Sequence, residues 1–225
     1  MCYSIESSLR TSSMSLLAII YLLSSGIPKF QYLGVVLFGW CLMQLTEAFL
    51  WMTDPRKCTT MNKFLTLFII PIPLILQIIA PIFGSLFIEP WNENKGFKIG
   101  YSVFIILTVL IYRHIINPIF YTYKDCTTIS PDGHLNWDTA VSNYKESNLI
   151  NVIGQIVWTI LIFIPLLKFW KGKRFWPFYM LVIIGMIISL STDSPASIWC
   201  NVTSYTSIIA SLLLFLNNIG IKILD

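Results

Sequence analysis

Glu47 sits in the middle of FGWCLMQLTEAFLW, where an ionisable group needs a reason to be. At helical spacing Trp40, Gln44, Glu47 and Trp51 share a face, which sets the carboxyl among an amide and two indoles. A second polar group lies in IYRHIINPIFY, with Arg113, Asn117 and Tyr121 on one stripe and His114 beside it. Arg113 is the natural partner for Glu47, because a charge withdrawn from water needs a hydrogen-bonded counter-charge. The chain opens MCYS, with the Cys2 thiol directly behind the first methionine, and TDSPASIWC gathers Asp193, Trp199 and Cys200. Chemically, Cys2, Glu47 and His114 are the catalytic candidates, as a nucleophile and general acids or bases. Gln44, Glu47, Trp51, Arg113, His114, Asp193 and Trp199 are the binding candidates. Thiols, imidazole and carboxylate can also ligate metals, but no CxxC or HxxxH spacing is present, so no metal is expected and no motif names a cofactor.

Other chemistries are excluded more firmly. Two histidines, His114 and His134, cannot form a three-histidine metal site. The last apolar stretch holds no internal lysine for a Schiff base, since Lys222 lies at its far end. No Ser-His-Asp spacing or Gly-rich phosphate loop stands out.

The elements that must position these groups are apolar helices. Of the 225 residues, 56% are hydrophobic and 12% charged, about half the charge of a soluble domain. Mean hydropathy is +0.72. The fold expected is all-α: one polytopic membrane domain over 1–225, with about seven transmembrane helices and one small extramembrane β-hairpin. Spans are predicted near 5–25, 32–52, 62–88, 98–121, 149–169, 176–192 and 195–217, each near the roughly 20 helical residues a bilayer core needs. The third is long, holds Pro71, Pro73 and Pro81, and is expected to kink or tilt. In the 122–148 loop, SPDGH between CTTI and LNW predicts a hairpin. A signal-peptide reading of LLAIIYLL followed by SSG would discard Cys2, but Glu6 and a single basic residue before it weigh against that.

Seven spans put the N-terminus and the 53–61, 122–148 and 193–194 connections on one face. Cys2, Cys58, Cys126 and Cys200 all map there and are the disulfide candidates, with three pairings open. Lysine and arginine divide almost evenly between the faces, and the cluster Lys168, Lys171, Lys173 and Arg174 tips the opposite face to the cytoplasm. The N-terminus is therefore expected outside or lumenal and the C-terminus cytoplasmic. Ser4 is a predicted N-cap. Two small-residue stripes, Ser4, Ser8, Thr11 and Ser15 in the first span and Cys200, Ser204, Ser207 and Ser211 in the last, suggest that these spans pack together. That pairing is expected to be antiparallel and to bring Cys2 near Cys200. Asn201-Val-Thr203 matches a glycosylation acceptor, but inside a predicted helix start.

The motifs MCYSIESS, QLTEAFLW and SIWC, in that order, resemble a family of uncharacterised multi-span membrane proteins of bacteria and large DNA viruses of protists. The family pattern is MC(F/Y/W)S, then Q..E..W, then S.WC. The resemblance implies that Cys2, Ser4, Gln44, Glu47, Trp51, Ser197, Trp199 and Cys200 are the marked positions. A composition rich in isoleucine and asparagine would suit a viral, AT-rich genome. Bacterial relatives have a His-rich stretch where this chain has SPDGHLNW, so a metal role does not carry over.

Three functional readings follow. The preferred one is a multi-pass membrane protein of unassigned activity, whose Cys/Glu/Arg/His cluster under the N-terminal face is structural. The second makes that cluster a membrane-embedded enzyme or a small-molecule or metal site. The third is a small transporter or channel, hinted at by IIPIPLILQIIAP without a mirrored second half. The lipid bilayer is the expected partner, and a net charge of +4 spread over loops does not suggest nucleic acid.

Overall fold

Pro28 decides where the second helix begins. Its ring presets a helical φ and its missing N–H costs nothing at a first position, so helix α2 runs Pro28–Met52, starting four residues before the predicted 32. The computed structural model describes residues 4–87, 95–111, 121–123, 125–131, 133–136, 140–142, 183–185, 187 and 195–221. Helix α1 precedes α2 over Ile5–Leu23, and the Ser4 hydroxyl accepts from the Ser7 N–H at 3.2 Å, the predicted cap.

The third predicted span is a single rod in three parts. Helix α3, Thr60–Phe64, begins at a Thr59 cap, a π-helical turn covers Leu65–Ile69, and helix α4 covers Pro71–Phe87. The π-turn is the local answer to Pro71. A proline ring collides with the carbonyl one α-turn back, and an inserted residue moves that carbonyl aside. The Ile70 N–H accordingly reaches the Leu65 carbonyl at 2.9 Å, five residues back. The expected kink is thus a bulge ahead of Pro71, while Pro81 stays inside α4.

Helix α5, Lys95–Ile111, begins before the predicted 98. The predicted span 98–121 also ended too late: Tyr121 lies in strand β1, Tyr121–Tyr123, paired antiparallel with β4, Ala140–Ser142. The aromatic and β-branched residues of 121–123 fit a strand ladder as readily as a helix face, and there the ladder prevails. Between them β2, Thr128–Ile129, pairs with β3, Leu135–Asn136, in the predicted hairpin. Gly133 takes a φ of +82° that its turn requires, and the Ser130 N–H donates to the His134 carbonyl at 2.8 Å. The predicted spans 149–169 and 176–192 lie outside the described residues, apart from a short helical stretch at 183–185 and 187. The final helix, α6, is Pro195–Asn218.

Helix α2 is the hub, packed by α1, α4 and α6, while α5 packs on α4. One core joins Ile19 and Leu22 of α1, Phe30 to Cys41 of α2, and Ala210 and Leu214 of α6. A second core joins Met43 and Leu50 of α2 to Leu65 and Ile70 of the rod and Leu135 of β3. Outside these cores the polarity is inverted. Leu17 (69% exposed), Phe68 (64%) and Ile99 (64%) point outward, while Ser15, Gln44, Glu47, Asn62 and Ser207 are fully buried or nearly so. Among the described residues, two helices are long and apolar enough to cross a membrane, Pro28–Met52 and Thr60–Gly84.

Candidate functional site

The predicted face of α2 is buried as a unit. Gln44 and Glu47 have no exposed surface, Trp40 is 1% exposed, and Trp51 packs against the Met43–Leu50 core. Met43 and Leu50, one helical turn before and after Glu47, pack with Leu65, Ile70 and Leu135. A carboxyl so fully withdrawn from water is costly unless hydrogen-bonded or paired, which makes this stretch of α2 the chemically notable part of the helix.

The hairpin forms the roof of this end, fastened in part by two of the disulfide candidates. Cys58 and Cys126 are paired as a disulfide, with Cα atoms 5.7 Å apart. This selects one of the open pairings. The next residue, Thr127, is seized by the rod: its N–H donates to Asn62 Oδ1 at 2.9 Å, and its carbonyl accepts from Asn62 Nδ2 at 3.1 Å. Thr66 Oγ1 accepts a second bond from the Thr127 N–H at 3.0 Å, lies 2.9 Å from Thr127 Oγ1, and donates to Asn62 Oδ1 at 3.1 Å. All three residues are buried. The preceding Asp125 meets Lys63 at 3.6 Å on the surface. Three successive residues, 125 to 127, are thus held by an ion pair, a disulfide and a buried hydrogen-bond network, and Leu135 is pressed into the second core. The sequence signal available was Asn62 and Thr66 at i,i+4 in an apolar run, but their partner lies 61 residues beyond Thr66.

His134, which was not among the candidate site residues, is buried at this end, 2% exposed beside Leu135. The favoured His114 lies outside the described residues, as do Arg113, Asn117, Asp193 and Cys2. Ser197, Trp199 and Cys200 fall in the first turns of α6, their side chains outside the description. Tyr121, being in β1, does not extend a helical stripe from Arg113. Cys41, within α2, donates its thiol hydrogen to the Ser12 carbonyl at 3.3 Å and is buried.

The two small-residue stripes do face each other. Ser15 Oγ donates to the Ser204 carbonyl at 3.1 Å, Ser211 Oγ to the Ala18 carbonyl at 3.0 Å, and Asn218 Nδ2 to the Tyr21 hydroxyl at 3.0 Å. Contacts advance in the same direction along both helices, so α1 and α6 run parallel, correcting the antiparallel expectation. Two helices entering from one face must run the same way. The glycosylation acceptor at Asn201 lies within α6, as expected.

At the α2–α3 connection Asp54 adopts a left-handed φ of 53°. Its carboxylate takes a 3.2 Å contact from Lys57 Nζ and an N–H from Arg56 at 3.4 Å. The Lys57 hydrogen bond, foremost, holds it below the usual carboxylate range. Among the described residues no three His, Cys, Asp or Glu gather as a metal group. Against known protein families, curated proteins and solved structures, the chain finds no match.

Proposed function

We propose that the chain is a multi-pass membrane protein, a bundle of about seven helices in which the buried polar cluster on α2 fastens the helices, with its hairpin-bearing, N-terminal face outside the cytoplasm. The inverted polarity carries this reading. In water each outward leucine or phenylalanine would forgo about 1.5–3 kcal/mol of burial, and faces of this extent on α1, α4 and α5 would drive aggregation. Against lipid those faces cost nothing, while serine, threonine, asparagine and glutamine contacts between helices hold the bundle together. Orientation is supported by the Cys58–Cys126 pair, since disulfides persist in oxidising compartments. The motif resemblance in MCYSIESS, QLTEAFLW and SIWC points the same way.

Membrane fractionation tests the first part. The protein is expected to stay with membranes through alkaline carbonate and to leave only with detergent, and release by carbonate would sink the reading. Orientation is tested on intact cells or spheroplasts treated with a reductant and then an impermeant maleimide. Cys58 should be labelled without permeabilisation, and labelling only after permeabilisation would reverse the assignment.

A further inference from the structure

Asn62 grips the residue that follows each half of the disulfide. Its backbone N–H donates to Thr59 Oγ1 at 3.1 Å, next to Cys58, and its side-chain amide holds both the N–H and the carbonyl of Thr127, next to Cys126. The Cys58 side is tied again, since the Thr59 N–H donates to the Lys57 carbonyl and the Lys57 N–H to the Asp54 carbonyl, each at 2.9 Å. The Cys126 side is tied again by Thr66 to Thr127 and by Lys63 to Asp125. Farther along the hairpin, Leu135 is buried in the second core. None of these contacts uses a sulfur atom. The backbones that carry the two cysteines, with Cα atoms 5.7 Å apart, are therefore held opposite one another by bonds that opening the disulfide does not itself break.

The two halves differ in access. Cys58 lies exposed in the α2–α3 connection, while Cys126 is 8% exposed beside the buried Thr127. Disulfide exchange begins when a thiolate attacks one sulfur and the other leaves, and exposed disulfides are the exchange-prone ones. Access directs the attack to Cys58 Sγ and makes Cys126 the leaving group. A reversible bond needs one sulfur reached from water and a second kept close by other means. Both conditions are met.

We propose that Cys58 is an exchange site for low-molecular-weight thiols, and that Cys58–Cys126 is a reversible latch which the Asn62 clamp keeps aligned while it is open. The thiolate attacks Cys58 Sγ, a mixed disulfide forms, and Cys126 leaves as a thiolate that takes up a proton. A second thiol attacks the bound reagent's sulfur and frees Cys58. Two thiols become one disulfide, and the protein gains two electrons and two protons. Closing runs the same steps backwards, with Cys126 expelling the reagent from Cys58.

The test uses the full-length protein purified in detergent and equilibrated in mixtures of reduced and oxidised glutathione, then acid-quenched, alkylated and peptide-mapped. The wild type is expected to exchange without denaturant and to carry its mixed disulfide on Cys58. Its two thiols should show an effective concentration above the roughly millimolar value of a flexible tether. That concentration should fall about tenfold or more in Asn62→Ala and about threefold or more in Thr66→Val. A bond that resists glutathione until the protein is denatured overturns the latch, and so does a mixed disulfide found mainly on Cys126. An effective concentration unchanged in both variants overturns the clamp's part in it. If Asn62→Ala fails to fold, Thr66→Val decides alone. Exchange is read in detergent, so carbonate release or a reversed orientation would sink the bundle reading and leave the latch standing.

Discussion

Replacing Asn62 with alanine removes both arms of the amide that holds the Thr127 backbone, and it leaves the Thr127 carbonyl buried without its donor. Such a loss should lower stability by about 2–3 kcal/mol, whereas Thr66→Val, which keeps shape and removes one hydroxyl, should cost about 1–2 kcal/mol. Denaturant unfolding of the two variants in the same detergent checks the order, and a Thr66→Val cost above that of Asn62→Ala would place the network elsewhere. Asp54 makes a smaller, pH-dependent contribution. Its carboxyl is held below the usual range by Lys57, so the stabilisation is present above about pH 4, the unfolded carboxylate range, and is lost as pH falls through the depressed value. Because the group is fully exposed, the effect should be small and should fade in high salt, and Lys57→Gln should remove it. Glu47 announced itself in the sequence because an acid in an apolar run is conspicuous. Asn62, Thr66 and His134 did not, because a polar residue near a span end has too many ordinary explanations.

Among the elements, α2 and the rod approach so closely at Gly39 that a methyl group would meet backbone, not a side chain able to swing away. Gly39→Ala should therefore destabilise by about 1–3 kcal/mol. Gly100→Ala in α5, with open space around it, should stabilise by about 0.5–1 kcal/mol through helix propensity. Opposite signs in parallel thermal melts are the expected result. The hairpin is fastened covalently across 68 residues of chain, so Cys58→Ser should cost about 4 kcal/mol if loop-closure entropy is fully expressed. Unreduced protein should also show one fewer pair of alkylatable thiols than reduced protein. The hairpin itself was legible, because Pro-Asp-Gly between β-prone residues is local turn chemistry. The helix break was legible as prolines, but its form as a π-turn was not, because that depends on how the freed backbone groups are accommodated.

For the molecule as a whole, the inside-out polarity separates water from lipid as its solvent. Leu17→Lys and Ile75→Lys alter outward side chains and would hardly disturb a protein standing in water. In a bilayer each should cost about 2.5–3.5 kcal/mol and reduce the fraction of chains integrated, read by carbonate extraction of glycosylation-free membranes. Unchanged integration in both would contradict the bundle. Length, apolar runs, proline and turn residues determined the positions of α1, α2, the rod and α6, the hairpin and the isolation of Glu47, because these are set by neighbours a few residues apart. Only the tertiary structure decided that Cys58 pairs with Cys126, that Asn62 grips Thr127, and that α1 and α6 run parallel through Ser15 and Ser204. Those contacts join residues 65 to 189 positions apart, and which distant partners meet is chosen by the packing of the whole bundle around α2, not by any local pattern.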